Sequence, residues 1–317
     1  MAAAEIVISE FMDPGAVEGL AGEFAVAYDP GLVDRPDELR AALGAARALI
    51  VRNRTRVRGA LLEAAPRLAV VGRLGVGLDN IDVEACRARG IEVIPATGAN
   101  DDAVAEYVVA AVLLLMRGAF MASGEVATGR WPRERLIGRE VMGRTLGLLG
   151  FGGTARAVAR RAVPLGMAVV AHDPQIEADS PVWSAHGVAP VGFEALLHGS
   201  DALSLHVPLT PATRGLIDAR ALGAMRRGAV LVNAARGGVV DAAALVEALK
   251  DGHLGGAALD VFETEPLPAD NPFAAGDVPN LILTPHVAGV TAESNVRVSR
   301  LIADAVRAHL LRGDRPA

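Results

Sequence analysis

At 317 residues the chain exceeds the range in which one hydrophobic core usually suffices, so two domains are expected. Apolar residues make up 51% of it, enough for packed cores, and a net charge of −6 without a long basic block argues against nucleic acid as the main partner. Cys86 stands alone, which excludes an intramolecular disulfide and fits a reducing cytoplasm, and no cluster of His and Cys suggests a metal.

The start, MAAAEIVISEF, lacks the basic and long apolar regions of a signal peptide and reads directly into a strand. The β-rich runs EIVISEF, FAVAY, ALIVRN, LAVVGRLGVG and IEVIPAT then alternate with helical segments such as RPDELRAALGAA and VEACRARG, the rhythm of a parallel sheet with crossover helices. A helical pattern from about Asp102 to Phe120 interrupts it. Its apolar run from Val108 to Met116 is too short to span a bilayer and adjoins Glu106, so it reads as a buried helix and no membrane partner is expected. A second series follows with TLGLLG, MAVVAHD, ALSLHVP, AVLVNAA, GGAALDVF and LILTPHV, and a helical tail from Thr291 to Leu311 can cross back to the first. The fold expected is α/β, two doubly wound parallel-sheet units of Rossmann or flavodoxin type. The boundaries expected are 1–100 plus 289–317, and 101–288, with the ligand site in the cleft between domains.

Gly150-Phe-Gly152-Gly153-Thr154-Ala155 follows the strand TLGLLG and opens a helix rich in Ala and Arg, the setting a dinucleotide fingerprint requires. Gly150 permits the tight turn, Gly152 lets the pyrophosphate approach the backbone, and helix amides face its charge. The next strand ends at Asp173, where an acid binds the ribose hydroxyls. A carboxylate there repels the 2′-phosphate of NADP, and Pro174 and Gln175 supply no compensating cation, so NAD is the expected cofactor.

Three later strand ends carry Asn233-Ala-Ala-Arg236-Gly-Gly, Asp260-Val-Phe-Glu-Thr-Glu265-Pro and Thr284-Pro-His286-Val-Ala-Gly. In an open parallel sheet these ends line the ligand crevice and can converge. Arg236 offers a planar, permanently charged fork for the oxygens of a 2-hydroxy acid. His286 can take the C2 hydroxyl proton as hydride leaves C2, with Glu265 orienting its ring.

At these residues, and through GRLGVGLDNID, LHVPLTPATRGLI, VNAARGGVVD, ALDVFETEP and TPHVAG, the sequence resembles the D-2-hydroxyacid dehydrogenase family, within it the phosphoglycerate dehydrogenase-like branch. The resemblance implies the catalytic roles of Arg236, Glu265 and His286, puts Asp260 by the nicotinamide amide, and implies cofactor contacts near Thr154, Val207, Ala234 and Gly289. Gly153-Thr154 departs from it, since relatives often carry a larger basic and aliphatic pair there. The chain also ends without the regulatory domains of many relatives, so serine feedback is not expected. The loop Gly72-Arg73-Leu-Gly75-Val76-Gly77 resembles the family's substrate-carboxylate loop, where backbone amides bind an anion.

Arg52 and Arg54 share one face of a strand end by two-residue alternation, and the same branch resembles this chain at the substrate contacts Arg52, Arg73 and Asn100. An Arg52/Arg73 pair suits a second anion at C3, phosphate or sulfonate. EIVISEFMD, VDRPDEL and VRNRTRV are also similar to (S)-sulfolactate dehydrogenases, and motifs alone do not separate 3-phosphoglycerate from 3-sulfolactate. A glyoxylate or hydroxypyruvate reductase is the alternative enzyme, and an NAD-sensing binding module the alternative outside catalysis. Residues 103–131 resemble the part through which this family forms homodimers, which would let Arg133 or Arg135 reach a neighbour.

Overall fold

Short runs of branched apolar residues form strands covered on both faces, which is why they read as continuous rather than alternating patterns. In the computed structural model, which describes residues 4–276 and 278–313, β1 (Ile6–Ile8), β2 (Val26–Tyr28), β3 (Ala48–Val51), β4 (Val70–Arg73) and β5 (Glu92–Pro95) form a parallel sheet. Its order is β2-β1-β3-β4-β5. A second parallel sheet contains β6 (Thr145–Leu149), β7 (Ala168–His172), β8 (Val188–Pro190), β9 (Ala202–Leu205), β10 (Val230–Asn233), β11 (Gly256–Leu259) and β12 (Leu281–Leu283). Its order is β12-β11-β10-β9-β6-β7-β8.

Two units result, one running to Asn100 and resuming at Val290, the other spanning Asp101–Gly289. Residues 1–3, 277 and 314–317 of the expected spans lie outside the described residues. In the first unit the tail helix Ala292–Gly313 packs Ile302 and Val306 over β4 at Gly72. In the second, Asp101–Arg117 and Gly153–Ala162 cover one face of the sheet and Ala242–Lys250 the other. Fully buried side chains such as Phe151, Leu148 and Leu231 each contribute about 1.5–3 kcal/mol.

Two details differ from the sequence reading. The helix expected to run to Phe120 stops at Arg117, because Gly118 takes the left-handed backbone (φ 64°) that ends helices. The strand β8 had no counterpart in that reading: only Val188 of its three residues is buried, and it closes on Pro190 at the sheet edge. Among the described residues no single helix is long and apolar enough to cross a membrane.

Each sheet has a switch point where crossovers leave in opposite directions, between β1 and β3 in the first and between β6 and β9 in the second. Ligands of open α/β sheets bind outside the carboxyl ends of strands at such points.

Candidate active site

At the second switch point the chain leaves β6 through Gly150, whose φ is 87°. A Cβ there would lie 2.7 Å from the His206 carbonyl oxygen and 3.1 Å from Val207, so glycine alone fits against the end of β9. Gly152 precedes the helix Gly153–Ala162, and nothing lies within 4 Å of where its Cβ would stand. The helix amides are thereby open to an anion. Asp173, just past β7, accepts the amides of Phe151 and Gln175, each at 2.9 Å, which fixes its carboxylate beside the turn. An open helix N-terminus and a fixed acid one strand away fit the pyrophosphate and ribose of a dinucleotide.

The unusual Gly153-Thr154 pair has a local cause. Thr154 Oγ1 donates to Asp101 Oδ1 at 2.5 Å, and a Cβ at Gly153 would collide with the other Asp101 oxygen. Asp101 therefore fills the space a larger residue at 153 would need. Ala234, past β10, packs on the core, and Gly289 is the last residue of the second unit.

β10, β11 and β12 deliver the remaining groups. Asn233, 1% exposed, accepts the Ala235 amide at 3.0 Å and donates to the Arg236 carbonyl at 2.9 Å, stapling the turn that carries Arg236. Arg236 Nη1 donates to the Ala235 carbonyl at 2.6 Å. A Cβ at Gly237 would collide with the Phe262 backbone, so glycine lets this turn close on the segment leading to Glu265. Glu265 Oε1 accepts the Phe262 amide at 3.0 Å, and Oε2 meets His286 Nδ1 at 2.7 Å. Burial pushes the Glu265 carboxyl up, but the His286 and Phe262 hydrogen bonds and the charges of His286 and Arg236 outweigh it and hold it below the ordinary value. A carboxylate can only accept, so Nδ1 carries the hydrogen and Nε2 of the neutral ring is left as a base.

His286 itself has φ 57°, and its amide donates to the Asp260 carbonyl at 2.8 Å. The Asp260 carboxylate, 1% exposed, accepts from Thr284 Oγ1 at 2.6 Å and from the Val287 and Ala288 amides at 2.8 Å each. Since Thr284 donates to Asp260, the Tyr107 hydroxyl 2.7 Å away donates to Thr284. The loop bearing His286 thus hangs from one buried acid.

In the first unit, Arg52 follows β3 and Arg73 ends β4, with Val51 and Arg73 in register. Arg52 Nη2 donates to Asn295 Oδ1 at 2.7 Å. Arg73 Nη1 turns onto the Leu74 carbonyl at 3.0 Å. Val76 is exposed, and Gly77 and Asn100 are half-buried beyond the ends of β4 and β5. Arg54 is exposed and ion-paired with Asp34, and Arg135 is ion-paired with Glu125. Arg133 is exposed.

The sequence places Asn233 and Thr284 in strand-end motifs without assigning them a role, and it gives no sign of Tyr107, Asp101 and, in the first unit, Glu10, Phe11 and Asn295. A polar residue at the end of a fully apolar strand run, as at Asn233 directly after residues 230–232 and at Glu10 two residues past Ile8, is the signal that could have found two of them.

Residues 109–288 match the family described as D-isomer specific 2-hydroxyacid dehydrogenase, NAD binding domain. The (S)-sulfolactate dehydrogenase of Chromohalobacter salexigens is 53% identical over 303 residues, 96% of this chain and 97% of that one. The D-3-phosphoglycerate dehydrogenase of Mycobacterium tuberculosis is 39% identical over 305 residues, 95% of this chain but 56% of that one, so the present chain spans little more than half its length. The solved structure of a glyoxylate reductase from Paecilomyes thermophila has a TM-score of 0.86 at 27% identity, covering 100% of this chain and 98% of that one. With the dinucleotide cradle and the His286–Glu265 pair in one unit, the chain belongs to the D-isomer specific 2-hydroxyacid dehydrogenases and is an NAD-dependent oxidoreductase of 2-hydroxy acids.

Proposed function

We propose that the protein oxidises the C2 hydroxyl of a doubly anionic 2-hydroxy acid, 3-sulfolactate in preference to 3-phosphoglycerate. The first unit binds the substrate's anions and the second holds NAD and the proton-transfer groups. The 2.7 Å bond from His286 Nδ1 to Glu265 carries the chemistry, because it leaves Nε2 to take the hydroxyl proton. Bound NAD supplies the acceptor for the hydrogen that leaves C2 with its electron pair. Glu265 keeps the imidazole aligned and offsets its new charge, and Arg236 holds the C2 oxygen and carboxylate. Arg52 and Arg73 take the C3 anion, and the amides of Val76 and Gly77, with Asn100, the carboxylate. Thr154, Val207, Ala234 and Gly289 line the cofactor, Asp260, which the resemblance puts by the nicotinamide amide, is buried and acts by holding the loop of His286, and Asp173 selects NAD over NADP. The sulfonate reading is supported by the identity of 53% to a sulfolactate dehydrogenase across 96% of the chain.

The chain forms a homodimer through residues 103–131, a segment that exposes Phe120, Met121 and Trp131, and it works in the cytoplasm as a small-molecule enzyme. The test is NADH absorbance with NAD and 3-sulfolactate, 3-phosphoglycerate, D-glycerate and D-lactate in turn, beside His286→Asn. Preference for 3-sulfolactate and a dead variant support the reading. Preference for D-glycerate, or for glyoxylate in the reverse direction, overturns the anion assignment.

A further inference from the structure

The first switch point lies between β1 and β3, and the residues that follow these strands include Ser9, Glu10 and Phe11 on one and Arg52 to Thr55 on the other. Glu10 is 4% exposed, an unusual place for a carboxylate. Its Oε1 accepts the amides of Arg52 and Thr55 at 2.9 Å each, and its Oε2 those of Asn53 and Arg54 at 3.2 and 3.0 Å. One buried negative charge thus shapes the whole turn that carries Arg52. The Arg52 guanidinium lies 5.9 Å from the centroid of the half-exposed Phe11 ring, and its bond to Asn295 Oδ1 leaves the Asn295 amide hydrogens for another acceptor. Burial lowers the pKa of Arg52 and the charge of Glu10 opposes that, so the two groups share one field.

We propose that Glu10, Phe11 and Asn295 make this arginine site selective for a singly charged sulfonate over a doubly charged phosphate. The inference rests on the reading that Arg52 and Arg73 bind the substrate's C3 anion. Two guanidinium charges less the Glu10 carboxylate leave a single positive charge. A sulfonate balances it at any working pH. A phosphate monoester, whose second pKa is about 6, overfills it at neutral pH. Arg54 cannot supply the missing charge, because Asp34 holds it. The Phe11 ring presents a negative face and no donor to a further charged oxygen, while the Asn295 amide donates without adding charge.

The test measures kcat/KM for the two keto acids, 3-sulfopyruvate and 3-phosphohydroxypyruvate, with NADH between pH 5.5 and 8. For the wild-type chain the phosphate substrate gains on the sulfonate as pH falls through about 6, and the sulfonate KM stays flat. Glu10→Gln lowers the sulfonate-to-phosphate ratio by about tenfold or more, tenfold being the effect of one charge roughly 12 Å from the anion at an effective dielectric near 20. The change falls on KM of the acid rather than on KM of NADH. Phe11→Ser, at a half-exposed position, shifts the ratio the same way and serves if Glu10→Gln does not fold. If both substrates turn over and neither variant nor pH moves the ratio, the selectivity is wrong and the C3-anion reading stands. If neither substrate turns over, that reading falls and the selectivity with it.

Discussion

Replacing Thr284 by Val removes two hydrogen bonds at almost constant volume and strands the groups at both ends of a chain that runs from Tyr107 to Asp260. The lost bond to the buried carboxylate costs about 1.5–3 kcal/mol, and the orphaned Tyr107 hydroxyl adds about 1–3 kcal/mol; because both Thr284 and Tyr107 keep some exposed surface, a total near the low end, about 3 kcal/mol, is expected. For a unit of this size that lowers Tm by roughly 6–12 °C. Tyr107→Phe alone costs about 1 kcal/mol, and in the Thr284→Val background it relieves the stranded hydroxyl, so the double variant is more stable than the sum of the singles by about 1 kcal/mol or more. Urea denaturation of the four proteins measures this. Additive costs, within about 0.5 kcal/mol, would refute the donor order deduced for Tyr107, Thr284 and Asp260.

Gly237→Ala forces a methyl into the Phe262 backbone. It should cost about 1–3 kcal/mol and displace Arg236 relative to Glu265, lowering kcat on the order of 100-fold; an unchanged kcat would show that the close approach is incidental. Asp173→Ser removes the fixed acid beside the dinucleotide turn and should raise the NADP-to-NAD ratio of kcat/KM at least about tenfold, read by steady-state kinetics with each cofactor. His206 donates or accepts at Ser204 Oγ 2.9 Å away, and burial pushes its pKa from 6.5 down to about 4. The unfolded chain therefore binds the proton first, and stability, complete above pH 6.5, is lost as pH falls toward 4. The ceiling is about 3 kcal/mol, since part of the residue's surface is open. His206→Asn should flatten denaturation midpoints over that window, and an unchanged slope would assign the acid sensitivity elsewhere.

The residues that announce themselves in the sequence do so because their setting is local. A glycine-rich turn sits directly between a strand and a helix at Gly150, and Arg236, Glu265 and His286 each stand within a few residues of a strand end. Glu10 is as close to a strand end as any of them, but its importance comes from amides more than forty residues away, at Arg52 to Thr55. Tyr107 and Thr284 meet across 177 positions, so no local pattern could join them. Gly153 and Thr154 read as departures from a fingerprint until Asp101 is seen in the space they leave. The strand at Val188 escaped because an edge strand with one covered side chain has no period to detect.

The left-handed backbone at His286 asks two unrelated things of one position. Its ring must deliver a base, while its φ of 57° favours glycine and asparagine and penalises side chains branched at Cβ. A mutational scan of this position therefore mixes two readouts: Asn, Gly, Val and Ile all lose the proton acceptor, but Asn and Gly keep the loop and Val or Ile unmake it. Asparagine is the informative silencing substitution, and a bound-state complex meant to trap intact substrate is best built on it. An alanine variant would carry a second, conformational defect into any structure or binding constant measured from it.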